Sequence, residues 1–457
     1  MREVQLRRMR QRKTVWVLGA LVLLLFGGAW WWVSQRPPAI VIPPRQYPPN
    51  NAYDAYKRIA QVMYNRNRQR WPLSGYKASS MLFNALIGDS RVPQEEWFYS
   101  FYRVQLELDF LDAYRKHLNQ PSVAVYEYDL FSRMPELAMF PELEMFREIA
   151  CLETIMIYTA FFEGREQEAV QRIQTLMRFS EQIRTDGTTR HYALGSYMIS
   201  IGLTPLRTYL FQVQSPQVLD TITNLARDYE QRRAHLKDAI RNDYYLGLSF
   251  YRDLAAGRIT PNDLKDRMSH IPPNSQIEQW LLYLHWGRWL IRQRALREYQ
   301  EYHERVFAEL EKPSWERKLR NFRPTQRLNK LLFQHRFGFA HLADAESRVI
   351  ATVRLLGCYA AVKRYYQQRK AYPPSLEALR SELGEMIIDP FTGKPFVYRA
   401  DPKRGFQLYS VGENRADDGG RLSPNTKLGD LLPITENALP KAQRPAGNRL
   451  SAPVWLR

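Results

Sequence analysis

From Asn51 to about Gly338, apolar residues recur at three- and four-residue steps, the spacing that lines one face of an α-helix. No stretch of that length alternates convincingly with the period of two that a half-buried strand requires. The spacing predicts helices over Gln94–Leu118, Pro141–Glu163, Arg165–Arg184, Tyr192–Gln212, Pro216–Gly247, Ile277–Leu310 and Ser314–Phe333. Breakers stand in the gaps: Pro121, Gly164, Asp186-Gly187, Ser215-Pro216 and Pro272-Pro273. Asn51 is placed to cap an earlier helix from Ala52 to about Met63.

The pattern changes near the C-terminus. Leu342, Ala345, Val349, Val353, Leu356 and Ala360 share one helix face. Tyr372-Pro373-Pro374 must stop that helix, because a residue before proline is pushed out of the α region. Ser375 is expected to cap a short helix through Leu379. Asp389-Pro390 with Gly393 reads as a tight turn, and Pro395 admits only an edge or the start of a strand. Phe396–Arg399 and Phe406–Val411 alternate with period two across Asp401-Pro402 and Gly405, which predicts a hairpin. An isolated hairpin is marginal in water, so it must pack on the helix before it. The expectation is a small α+β module.

At the other end, Thr14–Val33 is apolar throughout and long enough to cross a hydrocarbon core of ~30 Å. Trp16 lies near one end and Trp30, Trp31 and Trp32 at the other, as an interfacial belt requires. Arg2, Arg7, Arg8, Arg10, Arg12 and Lys13 precede it and predict a cytoplasmic N-terminus with the rest of the chain outside. The rival reading is a signal peptide cleaved after Gly27-Gly28-Ala29, against which the three tryptophans argue. Pro37-Pro38, Pro43-Pro44 and Pro48-Pro49 then make a stiff spacer. The expected organisation is a basic tail over 1–13, a transmembrane helix over 14–33 and a proline-rich linker over 34–50. An irregular or repeat-like helical domain over 51–338, the α+β module over 339–432 and a poorly ordered tail over 433–457 follow. The fold class is mainly α.

Within the C-terminal stretch, Tyr372-Pro373-Pro374-Ser375, then Asp389-Pro390-Phe391-Thr392-Gly393-Lys394-Pro395-Phe396-Val397-Tyr398, then Leu408-Tyr409-Ser410-Val411-Gly412 follow one another. This order and spacing, over roughly a fifth of the chain, resembles the C-terminal part of the type II secretion pseudopilins of the major (G-type) class. The resemblance implies a long helix running into a turn and strands, and a calcium site in the loop Glu413–Gly420. Asn414, Asp417 and Asp418 supply hard oxygen donors there, of the kind calcium takes six to eight of. By position Asn414 matches one family carboxylate, and Asp430, in Gly429-Asp430-Leu431, matches a later one in a short strand. Asn414 removes a charge from the family pattern and Arg415 and Arg421 add opposing ones, so an Asx-type turn without an ion is the other reading. The family's processing signature, a glycine followed by phenylalanine with glutamate at the fifth mature position, is absent. Separately, the apolar run Ile155–Phe162, the turn at Gly164 and the restart Gln167-Glu168-Ala169-Val170 weakly resemble tetratricopeptide-type repeats, without a strict period.

Charge changes the picture in one respect. The chain carries 66 basic against 47 acidic residues, a formal +19, and most of the excess lies outside the N-terminal tail. A surface of that kind favours anionic polymers or headgroups when it has a partner at all. Cys151 and Cys358 sit inside apolar helical runs, where buried inert thiols are expected. Among the eight histidines there is no H-E-x-x-H and no zinc spacing, and no nucleophile elbow, Walker loop or dinucleotide fingerprint occurs. The sequence therefore points to a non-enzymatic, membrane-anchored scaffold or interaction protein of the cell envelope, and the resemblance implies a link to a secretion or pilus-like system. Protein partners in the envelope are expected, and nucleic acid is not. Two alternatives stay open: an envelope enzyme whose helical domain holds a site without local motifs, and a binding module for anionic wall polymers or lipid headgroups.

Overall fold

The structure is a computed structural model. It describes residues 40–70, 105–126, 140–256, 258–260, 285–319, 323–326, 328–330, 338–401, 405–420 and 431–435, with Gly19, Gly27 and Asp263. The expected transmembrane segment over 14–33 lies outside the described residues, apart from Gly19 and Gly27. Among the described residues, no helix is long and apolar enough to cross a membrane.

The fold is mainly α. The helices are α1 (Ala52–Arg70), α2 (Asp109–Arg115), α3 (Glu142–Phe162), α4 (Glu166–Arg184), α5 (Thr189–Tyr209), α6 (Pro216–Arg232), α7 (Leu236–Ala255), α8 (His285–Leu310) and α9 (Phe339–Arg369). Three strands follow, β1 (Val397–Asp401), β2 (Gly405–Ser410) and β3 (Leu431–Thr435). The chain divides into two compact units, the larger formed by 44–247, 303–322 and 335–457. The smaller holds 248–302 and 323–334, with the N-terminal residues to Pro43.

In the larger unit α3, α4 and α5 pack against one another in succession. Gly164 has φ +75°, which lets the chain reverse between α3 and α4, and Arg165 N–H reaches back to the Ala160 carbonyl at 2.8 Å. The helix before the glycine and the one after it begin and end within a residue or two of the expectation. An aromatic cluster joins α1 to this layer: Tyr56 meets Phe179 edge-on at 4.9 Å, and Tyr114 of α2 meets the same ring at 4.8 Å. Asn51 is the cap expected of it, accepting from Tyr53 N–H at 3.4 Å. The same oxygen also accepts from Val123 N–H at 2.8 Å, and the helix continues to Arg70 rather than ending near Met63.

Three expectations about boundaries are corrected. Pro216–Gly247 is two helices, because Arg233 takes an extended conformation (ψ 137°) and Ala234 N–H bonds the Glu181 carboxylate at 2.7 Å. Ser314–Phe333 is not one continuous helix: among its described residues a 3-10 turn, Ser314–Glu316, follows Pro313, residues 317–319 and 323–325 are not helical, and helix returns at 328–330, while Ser314 Oγ donates to the Pro390 carbonyl at 2.6 Å. Ser375 precedes a 3-10 helix, Leu376–Leu379, but its hydroxyl makes no capping bond.

The long helix α9 lies at the centre of the larger unit. Its first half presents the expected face, and from Val349 to Lys363 it is buried nearly all round. One side packs on α6, and the sheet packs on another, with Tyr359 and Phe406 at 4.9 Å. A Cβ added at Gly357 would stand 2.7 Å from the Ala226 methyl of α6, so glycine sets how closely these helices approach. The helix ends at Arg369, and Lys370 turns into the left-handed region (φ 55°) ahead of Tyr372-Pro373-Pro374.

The hairpin is present. β1 and β2 pair antiparallel, Val397 opposite Tyr409 and Ala400 opposite Phe406. β3 adds to the other side of β2, Leu408 opposite Ile434, giving an antiparallel order β1-β2-β3 with an irregularity between Leu408 and Ser410. This third strand reaches Thr435, so the poorly ordered tail expected from 433 begins with a paired strand; Pro433 is tolerated there because β3 is an edge. The tight turn is closed by Asp389, whose carbonyl accepts from Thr392 and Gly393 N–H and whose carboxylate accepts from Phe391 N–H (2.9 Å) and Val411 N–H (3.2 Å).

The smaller unit is organised around Asn329. Its Nδ2 donates to the Ala295 carbonyl at 2.8 Å and to Glu298 at 2.6 Å, and its oxygen accepts from the Tyr251 hydroxyl.

Candidate functional site

The acidic loop is the place where the sequence points to a ligand. Asp417 Oδ1 accepts from the Tyr409 hydroxyl at 2.7 Å and from Gly419 N–H at 2.9 Å, and Oδ2 accepts from Arg399 at 2.9 Å. The Tyr409 bond, the Gly419 amide and then the Arg399 charge hold its carboxyl below the usual range. Asn414 donates to Asp418 Oδ2 at 2.8 Å while its own oxygen accepts from Ala416 N–H, an Asx turn. The structure thus joins Asn414 to Asp418 and directs Asp417 to β1 and β2. Asp430 lies outside the described residues. Among the described residues, no three His, Cys, Asp or Glu side chains form a metal-sized group.

Buried charges elsewhere in the larger unit serve as ties between elements. Glu153 of α3, fully buried, accepts from Tyr114 and Arg115 of α2 and from Arg172 of α4. Glu346 of α9 accepts from Tyr192 of α5 at 2.8 Å and from Arg317 at 2.9 Å, with Arg233 at 3.5 Å. Burial pushes the Glu346 carboxyl up, but Arg317, Arg233 and the tyrosine outweigh it and leave it lowered. Lys363 spends its ammonium on the Phe211 and Val213 carbonyls at 2.8 and 2.7 Å. Cys151 and Cys358 are buried thiols outside any disulfide, and burial pushes the Cys358 thiol up to about 12.

His191 is the buried histidine with the most definite surroundings. It opens α5 in a capping box: its Nδ1 accepts from Thr188 N–H at 3.2 Å and lies 2.8 Å from the Thr188 hydroxyl. Nε2 then carries the proton and donates to the Tyr53 oxygen at 2.7 Å, and Tyr53 donates in turn to Glu142 at 3.2 Å. Burial first, then the charges of Arg45, Lys57 and Arg190, lower its pKa to about 3. The imidazole is neutral and sealed.

The surface of the same unit carries a furrow between α4 and α6. Its floor is Met177, Leu225 and Tyr229, each at most 6% exposed, and one half encloses about 360 Å³. A second depression of about 320 Å³ continues it, sharing Gln174, Leu225 and Asp228 with the first. Glu181 on the rim is engaged by Arg184 (2.6 Å), and Asp228 by Arg232 (2.6 Å). Arg178 and Arg227 make no ion pair among the described residues; Arg227 instead bonds the Asn224 amide oxygen at 2.7 Å and the Glu382 carbonyl at 3.2 Å. Gln174 and Arg178 stand one helical turn apart on α4, a spacing legible in the sequence. That α6 lies opposite them is not, because the pairing of helices distant in sequence leaves no local pattern. The chain matches no family model, no curated protein and no solved structure.

Proposed function

We propose that the chain is a scaffold or interaction protein of the cell envelope, anchored through residues 14–33 with its bulk outside the cytoplasmic membrane. The furrow between α4 and α6 is the observation that carries this reading. It presents an apolar floor beside arginines that form no ion pair, and carboxamides that make no hydrogen bond, among the described residues, on helices held in place by buried charge ties. A surface of this kind suits contact with a partner. The order of long helix, 3-10 turn, Asp389 turn and antiparallel strands supports the link to pseudopilins of secretion or pilus-like systems. Calcium at Asn414, Asp417, Asp418 and Asp430 belongs to the same proposal. The test is crosslinking in intact cells followed by purification from membranes, with a reporter fused after Arg457 to fix the topology. The expected result is reporter activity outside the cytoplasmic membrane and a discrete crosslinked protein. Reporter activity in the cytoplasm, or recovery with lipid or wall polymer alone, overturns it.

A further inference from the structure

The furrow selects among partners by its chemistry. Thr221 to Arg232 along α6 rises ~17 Å at 1.5 Å per residue, the length of an extended peptide of about five residues. The rim carries Asn119, Gln174 and Gln231, whose carboxamides make no hydrogen bond among the described residues. A carboxamide offers a donor and an acceptor together, which matches a peptide unit, whereas phosphates offer acceptors alone and leave the amide oxygens unmatched. With Glu181 and Asp228 neutralised by their own arginines, the charges left over are Arg178 and Arg227. Both are guanidinium groups, suited to paired recognition of carboxylates. We infer that the furrow between α4 and α6 binds an extended acidic peptide segment of a partner protein. Its backbone would lie along Asn119, Gln174 and Gln231, and its carboxylates would meet Arg178 and Arg227.

This inference rests on the interaction reading above and adds the partner's chemistry. The test uses the purified full chain in detergent and fluorescein-labelled hexaglutamate, with binding followed by anisotropy. Saturable binding is expected, weakened at least tenfold by Arg178→Glu, whose side chain is exposed, and further by Arg178→Glu with Arg227→Glu. Arg369→Glu with Lys370→Glu makes the same charge change at exposed positions outside the furrow, and a change under twofold is expected there. Equal weakening by both pairs would show attraction to a diffuse basic surface and overturn the inference. Polyphosphate of equal charge binding as tightly, through the same two arginines, would overturn the peptide assignment. A photocrosslinker at position 174 in intact cells separates the two proposals. Capture of a discrete protein without hexaglutamate binding leaves the scaffold reading standing and removes this one; neither result removes both.

Discussion

Acidification tests the buried Thr188–His191–Tyr53–Glu142 chain most directly. In the folded protein His191 titrates at about 3, against 6.5 when exposed. Its folded pKa is depressed, so nothing is lost above 6.5, where the imidazole is neutral in both states. Below 6.5 the unfolded chain gains a proton that the folded chain refuses, and stability falls by about 1.4 kcal/mol per pH unit until the folded pKa is reached. Between pH 7.5 and pH 5.0 the loss from this one residue is about 2 kcal/mol. Carboxylates and other histidines also contribute to an acid slope, so the measurement is a difference. His191→Gln keeps an acceptor near Thr188 and removes the titration. Urea denaturation followed by circular dichroism at both pH values gives wild-type and variant stabilities. The variant is less stable at pH 7.5, and its deficit should shrink by about 2 kcal/mol at pH 5.0. Parallel pH profiles would mean that His191 is not held neutral, and the hydrogen-bond chain drawn above would be wrong.

Three further outcomes follow from packing and the acidic loop. Gly357→Ala gains up to about 1 kcal/mol of helix propensity but places a methyl 2.7 Å from Ala226, an overpacking cost of about 1–3 kcal/mol, so net destabilisation is expected. Ala226→Gly should restore part of it, and a stabilised single variant would refute the close approach. Leu356→Ala, at a site 2% exposed, should cost about 2–5 kcal/mol, and hydrogen exchange should accelerate in β2 and α6 together; unchanged exchange in either counts against the shared core. Millimolar calcium should raise the melting temperature over chelator, by up to about 2.7 kcal/mol of stabilisation at a hundredfold excess over Kd, and Asp417→Ala with Asp418→Ala should abolish the shift. Identical melting in calcium and chelator would leave the loop an Asx turn.

Where the local pattern carried its own punctuation, the sequence was enough. Gly164 marks the α3–α4 reversal, and Pro373 follows the end of α9. The hairpin register agrees with the alternation of Phe396–Arg399 and Phe406–Val411. The failures lie where tertiary contacts override propensity. Glu230-Gln231-Arg232-Arg233 contains only good helix formers, yet α6 ends there because Glu181 takes the Ala234 amide and Glu346 draws in Arg233. α5 starts at Thr189, three residues ahead of the expected Tyr192, because its capping box uses His191 where glutamate or glutamine is usual. For the candidate sites, the acidic loop was visible as a cluster of oxygen donors. The furrow was not, since α4 and α6 meet only in the fold.

The position of α9 explains why its amphipathic pattern fades midway. Ahead of Val349 the helix keeps a solvent face at His341 and Asp344, so a single apolar stripe suffices there. Between α6 on one side and the sheet on another, the residues from Leu355 to Val362 have no solvent face to present, and every position there is apolar or small apart from the Tyr359 hydroxyl. Gly357 and Ala360 suit close helix packing, and Tyr359 meets the Phe406 ring of the sheet. The two long basic side chains that flank this stretch are matched, with Lys363 bonded to two carbonyls and Arg354 to both Glu230 oxygens and the Ile388 carbonyl. Arg354 therefore links α6, which forms one wall of the furrow, to the segment that leads into the Asp389 turn. The helix that leads into the turn and the sheet is in this way also part of the core beneath the furrow. A substitution in that stretch acts on both surfaces through the same packed side chains, which is why the Leu356→Ala exchange experiment reads β2 and α6 together.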